Sequence, residues 1–191
     1  MSARSAAEVL PAAFYARPAD VVARALLGQV LTVERGGHRL EARIVETEAY
    51  LGEEDLACHA SRGRTRRTET LYGRPGTAYV YLIYGMYHLF NVVALDEGEP
   101  HAVLVRGVEP LTSLRARTDG PGRLTRALGI DLSHNGVSLQ GPPITIRPGD
   151  APAEVAVDAR VGVDYAGVWK DAPLRFMDAA SACLSRPPRR R

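Results

Sequence analysis

Lysine is almost missing from this chain: Lys170 is the only one among 24 basic residues, and all the others are arginine. Any chemistry that needs a lysine amine for a Schiff base therefore has one residue to work with. Arginine suits bidentate phosphate contacts, although an arginine-rich genome yields the same composition. Cysteine is nearly as scarce. Cys58 and Cys183 are too few for a disulfide framework and lack zinc-ribbon spacing. No apolar run approaches the length that crosses a bilayer, and the stretch Met1–Glu8 has no signal-peptide character. We therefore expect a cytoplasmic protein with reduced thiols and no membrane contact. A strong charge of one sign is missing too. The net charge of +2 cannot by itself argue for a nucleic-acid partner, so that case depends on where the arginines sit.

What is present fits one domain with a real core: 191 residues, 46% of them hydrophobic and 24% charged, with no internal repeat. Pro18-Ala19-Asp20 opens a helix that Gly28 stops. Residues 29–35 and 38–49 alternate as two strands around a Gly36-Gly37 turn. An acidic helical turn is expected over Glu53–His59, and a basic loop over residues 60–76 carries Arg62, Arg64, Arg66, Arg67 and Arg74. Residues 77–83 and 87–95 read as strands joined at Tyr84-Gly85-Met86, and His101–Val108 as a third, so an antiparallel sheet should form the centre. Pro121–Leu128 makes a short helix closed by Gly129. Ile144–Arg147 and Val155–Val163 supply further strand, while residues 1–9 and 186–191 are expected to be disordered.

Seven of the twelve aromatic residues are Tyr50, Tyr72, Tyr79, Tyr81, Tyr84, Tyr87 and Phe90. Tyrosines pack half-buried sheets well, but Tyr84 stands at a turn, where burial is least expected. A ring at a hairpin tip can wedge into a base stack, and a ring on the opposite face can stack on a base swung out. Alternation places Ile44, Glu46, Glu48 and Tyr50 on one face of their strand. Carboxylates on a partly buried face are costly unless they have a partner or a task. They could be ion-paired to arginines at a sheet edge. They could instead activate water and stabilise an oxocarbenium-like sugar. His59 is a candidate because of this company, whereas Cys58 beside it has no metal-ligand spacing.

These residues resemble a known family. Glu48-Ala49-Tyr50-Leu51-Gly52, His59, Pro75-Gly76-Thr77, Tyr79-Val80-Tyr81, Ile83 to Tyr87 and Asn91 are similar to the alkyladenine (3-methyladenine) DNA glycosylases. Val103 to Arg106, Gly120 to Leu124, Arg160 to Val163, Ala166 to Trp169 and Pro173 to Phe176 continue the match. The resemblance implies a single α/β domain of α+β type, with a curved antiparallel sheet and no metal or organic cofactor. It implies that Glu48 is the general base and that Arg106 and the Val161 carbonyl hold the attacking water. Tyr50, His59 and Tyr81 would sandwich the flipped base, Asn91 would crowd normal guanine, and Tyr84 would fill the gap left in the duplex. Arg64, Arg67 and Arg123 are candidates for the DNA backbone, although Arg66 stands where the family commonly has proline.

The expected activity is hydrolysis of an alkylated purine from double-stranded DNA by a monomeric enzyme. Such a base is already a good leaving group, so little acid help is needed. With Lys170 far in sequence from the motifs, strand nicking through a Schiff base is not expected. Two rival readings remain: a stacking module with a structural Glu48, and a sugar hydrolase using Glu46 and Glu48 as an acid–base pair.

Overall fold

The computed structural model describes residues 8–114 and 116–189. After a four-residue turn of helix, α1 (Ala12–Tyr15), comes α2 (Ala19–Leu26), which begins at Pro18 with Asp20 in its first turn, where an acid favours the helix dipole. Its face of Ala19, Val22, Ala23 and Leu26 is buried. Gly28 ends the helix at φ +86°, and a Cβ there would overlap the Asp150 carbonyl.

The strands are β1 (Val30–Arg35), β2 (His38–Leu51), β3 (Ala78–Ile83), β4 (Tyr87–Ala94), β5 (His101–Pro110), β6 (Gln140–Gly141), β7 (Ile144–Arg147), β8 (Val155–Asp158) and β9 (Arg175–Asp178). Every pairing is antiparallel, in the order β3-β4-β5-β2-β1-β7-β6. β1 covers the edge of β2 as far as Arg43, and β9, itself paired to β8, takes that edge over from Glu46 to Glu48. The sheet curls as a half-barrel. Its core face packs α2 and α3 (Pro121–Leu128) against Leu31, Ile44, Phe90 and Ile144.

The expected α+β architecture is therefore present, as are the glycine turns. Three local expectations need correction. Ile44 does not share a face with Glu46 and Glu48. The β2–β5 register passes from Ile44 opposite Val108 straight to Glu46 opposite Gly107, so Val45 is an extra residue that switches faces. Ile44 and Ala49 then belong to the core, and the Thr47 hydroxyl donates to the Ala23 carbonyl in α2 at 2.8 Å, while Glu46, Glu48 and Tyr50 turn the other way. The Glu53–His59 stretch forms turns rather than helix, and a single 3₁₀ turn covers His59–Arg62. The strand read over residues 155–163 stops at Asp158.

The tails expected to be disordered fall partly outside the described residues, at 1–7 and 190–191. Within them, the Arg186 carbonyl accepts from Arg175 at 3.1 Å, and the Arg189 N–H donates to Asp158 at 2.9 Å.

Candidate active site

The bulge pair in β2 and β5 builds the site. After Val45 adds a residue to β2, the register moves from Glu46–Gly107 to Thr47–Val105, which leaves Arg106 as the extra residue of β5. Bulges re-aim side chains. Here Arg106 is delivered to the carboxylate face, with Glu46, Glu48 and its own side chain all buried.

The two acids have different surroundings. Glu48 has no exposed surface. Its Oε1 accepts the Val161 N–H at 2.7 Å, and its Oε2 accepts the Tyr50 hydroxyl at 2.9 Å and Arg106 Nη1 at 3.2 Å. Glu46 Oε1 accepts from Arg106 Nε and Arg175 Nη1, both at 3.1 Å, and from the Ser185 hydroxyl at 2.7 Å. The Ser185 N–H takes its other oxygen. Of the two readings left open for these acids, the ion pairs are present, though not at a sheet edge, because β2 lies in the middle of the strand order.

A third buried acid, Asp55, braces the site from the side. It binds Arg160 through Nη2–Oδ1 at 2.8 Å and Nη1–Oδ2 at 2.5 Å, and it accepts the N–H groups of Leu51 and Ala57. The Arg160 guanidinium lies 4.8 Å from the Tyr50 ring centroid, and its backbone leads into Val161. The chain leaves the sheet after Asp158 so that Arg160 can reach Asp55 and the Val161 N–H can reach Glu48. The Val161 N–H binds Glu48 itself; the resemblance assigns the Val161 carbonyl to the attacking water.

Above Glu48 lies a cleft of about 590 Å³, lined by Tyr50, His59, Tyr81, Asn91, Arg106 and Val161 among others. His59 Nδ1 pairs with the Tyr79 hydroxyl at 3.0 Å, and its ring meets Tyr81 edge-on at 4.5 Å. Burial, then the nearby positive charges of Arg67 and Arg62, lower the His59 pKa to about 4, so it is neutral at pH 7. Burial also raises the phenols: Tyr79 to about 12, Tyr50 and Tyr81 well above the usual value, with the Glu48 charge adding to the effect on Tyr50. All three keep their protons, so Tyr50 remains a donor to Glu48. Asn91 is fixed by donating to the Tyr79 carbonyl at 3.2 Å.

At the rim, the β3–β4 hairpin turns at Tyr84 (φ +53°) and Gly85 (φ +68°), and Tyr84 is 83% exposed. Arg67 reaches over the outer side of Tyr81, 5.5 Å from its ring centroid. The other two candidate backbone arginines already have acidic partners: Arg64 binds Glu69 at 2.6 Å and lies over Tyr72, and Arg123 binds Asp119 at 3.2 Å. Asp55, Arg160, Tyr79 and Ser185 were not singled out as site residues from sequence. Tyr79 and Arg160 stand in matching motifs, but the roles of all four depend on partners distant in the chain. Among the described residues no cluster of His, Cys, Asp and Glu is placed to hold a metal ion, and no helix is long and apolar enough to cross a membrane.

A site that only stacked bases would have no use for an acid sealed beneath it with an arginine and a directed N–H, because burying that charge is costly. The arrangement fits a hydrolase. The sequence profile of the methylpurine-DNA glycosylase family matches residues 13–182. The chain belongs to that family and is a DNA glycosylase, a hydrolase of N-glycosyl bonds. Among its relatives, a Myxococcus xanthus protein named "Putative 3-methyladenine DNA glycosylase" is 56% identical over 188 residues, covering 95% of this chain and 97% of its own. Proteins of the same name from Anaeromyxobacter dehalogenans (52% identical, 93% of this chain and 87% of theirs) and Methanocella arvoryzae (44% identical, 93% and 96%) are also similar.

Proposed function

We propose that this protein swings an alkylated purine such as 3-methyladenine out of duplex DNA and hydrolyses its glycosidic bond with water activated by Glu48. The observation that carries the reading is Glu48 itself: a fully buried carboxylate with three directed donors, directly behind a cleft walled by Tyr50, Tyr81 and His59. Base flipping places a purine among these rings. An alkylated purine is cationic, which favours contact with tyrosine faces and makes it a good leaving group. Neutral His59, its Nδ1 tied to the Tyr79 hydroxyl, turns Nε2 to the base edge or the sugar-phosphate. Tyr84 occupies the vacated place in the stack, and Asn91, fixed against Tyr79, crowds the exocyclic amine of guanine.

The attacking water lies between Glu48, Arg106 and the Val161 backbone. Its proton passes to Glu48 as the C1′–N bond breaks, and Arg106 stabilises the carboxylate between turnovers. We assign Glu46 no role as a second base or acid, because its charge is held by two buried arginines, Arg106 and Arg175, where Glu48 faces one. That argues against the sugar-hydrolase reading. Lys170 is absent from the cleft lining, so the product is an abasic site with an intact strand.

The test is release of base from methylated duplex DNA. Wild type should free 3-methyladenine without forming a borohydride-trapped adduct. Glu48→Gln should bind the damaged duplex and lose at least the roughly 10²–10⁴-fold typical of general-base catalysis. Wild-type release by that variant would remove Glu48 from the mechanism.

A further inference from the structure

Ser185 lies beyond the residues that the family profile matches, yet it lines the cleft and touches both halves of its charge network. We propose that Ser185 is a positioning residue, one that holds Arg106 in the orientation presenting Nη1 to Glu48. The inference rests on the reading of Glu48 as the base.

A serine hydroxyl has one proton and two acceptor sites. Here it donates to Glu46 Oε1 at 2.7 Å and accepts from Arg106 Nη2 at 3.0 Å and Nε at 3.3 Å. Its N–H donates to the other Glu46 oxygen. Ser185 thus closes a ring with Glu46 and Arg106 and uses its full hydrogen-bonding capacity to do so. With the hydroxyl gone, Arg106 would keep Nε on Glu46 but would lose its only Nη2 partner among the described residues, and the guanidinium could rotate about that remaining contact. The Nη1 bond to Glu48, already 3.2 Å, is the contact such a rotation would lengthen.

The position of Ser185 is itself set from outside the cleft. On one side the Cys183 carbonyl lies against Gly107, where an added Cβ would come within 2.5 Å of it. Upstream the Ser181 hydroxyl donates to Glu109 at 2.6 Å. On the other side Arg175 binds the Arg186 carbonyl and Asp158 accepts the Arg189 N–H. The segment from Ser181 to Arg189 is a strap pinned at both ends, with Ser185 at the point where it meets the carboxylates.

The experiment measures single-turnover base release, damaged-duplex binding and thermal midpoint for wild type, Ser185→Ala and Ser185→Thr, and repeats Ser185→Ala in an Arg106→Lys background. Ser185→Ala should slow release by roughly ten- to hundred-fold, the scale on which a small misplacement of a catalytic group acts, with binding and midpoint near wild type. Threonine, which keeps the hydroxyl, should restore most of the rate. In the Arg106→Lys background, where the fork is already absent, Ser185→Ala should cost little more. The proposal is overturned if Ser185→Ala releases base at the wild-type rate, if threonine fails to rescue, or if the two losses simply add. If instead wild type releases no base, or Glu48→Gln is fully active, the functional reading has failed. Full Ser185→Ala activity beside an inactive Glu48→Gln refutes the positioning role alone.

Discussion

Glu46 and Glu48 stand two apart on one strand, and little in the local sequence separates them. Their partners do. Glu46 neutralises two buried arginines, Arg106 and Arg175, and Glu48 shares one of them with a phenol and a backbone N–H. Removing one member of such a network leaves the rest uncompensated away from water. Glu46→Ala should therefore destabilise the protein by about 3–5 kcal/mol in urea unfolding. A loss under about 1 kcal/mol would mean that solvent or the strap re-pairs both arginines. That both acids lie on one face was legible from their spacing. The difference between their surroundings was not, because it is decided by residues 106, 161, 175 and 185, between 58 and 139 positions away. The same distance hid Asp55, which among Glu53, Glu54 and His59 looks like part of an exposed acidic turn but is sealed against Arg160.

At the level of elements, hairpins were readable because their turns require residues of a particular kind. Gly36 and Gly37 both take positive φ between β1 and β2, and Gly85 does so between β3 and β4. Tyr84 is the exception, a bulky residue in left-handed backbone, which is unfavourable in an ordinary turn. Its conformation and exposure favour a role outside folding. Tyr84→Ala should leave the unfolding midpoint within the small range of surface substitutions. It should weaken damaged-duplex binding by about 1–3 kcal/mol, the value of one base–aromatic stack. Binding equal to wild type would take the wedge role away from Tyr84. The bulge at Val45 was not readable, since alternation continues through it in sequence and only the pairing with β5 reveals the extra residue. Likewise the alternation of residues 155–163 continues past Asp158, but the pull of two buried carboxylates takes the backbone out of the sheet.

Over the whole molecule, a net charge of +2 understates the field at the cleft, because Arg62 and Arg67 bear on His59 there and Arg66 adjoins Arg67 in the chain. Neutralising phosphates releases counterions, so each contacting arginine that is removed should lower the salt slope of DNA binding by about 0.9. Arg66→Ala and Arg67→Ala should each show this reduction between 50 and 200 mM salt, the range over which such contacts weaken binding strongly. Arg64→Ala should show less, since its charge is already answered by Glu69. Unchanged slopes for all three would place the duplex on another face.

The strand order has one more consequence. β2, which carries Glu48, has neighbours on both sides, whereas β3, which leads to Tyr84, forms the outer margin of the sheet. Local opening starts where backbone protection is weakest. Amide exchange along β2 should thus require unfolding of the entire molecule, while the tyrosine tip loosens on its own, so the part proposed to explore the duplex can flex without disturbing the part proposed to break the bond.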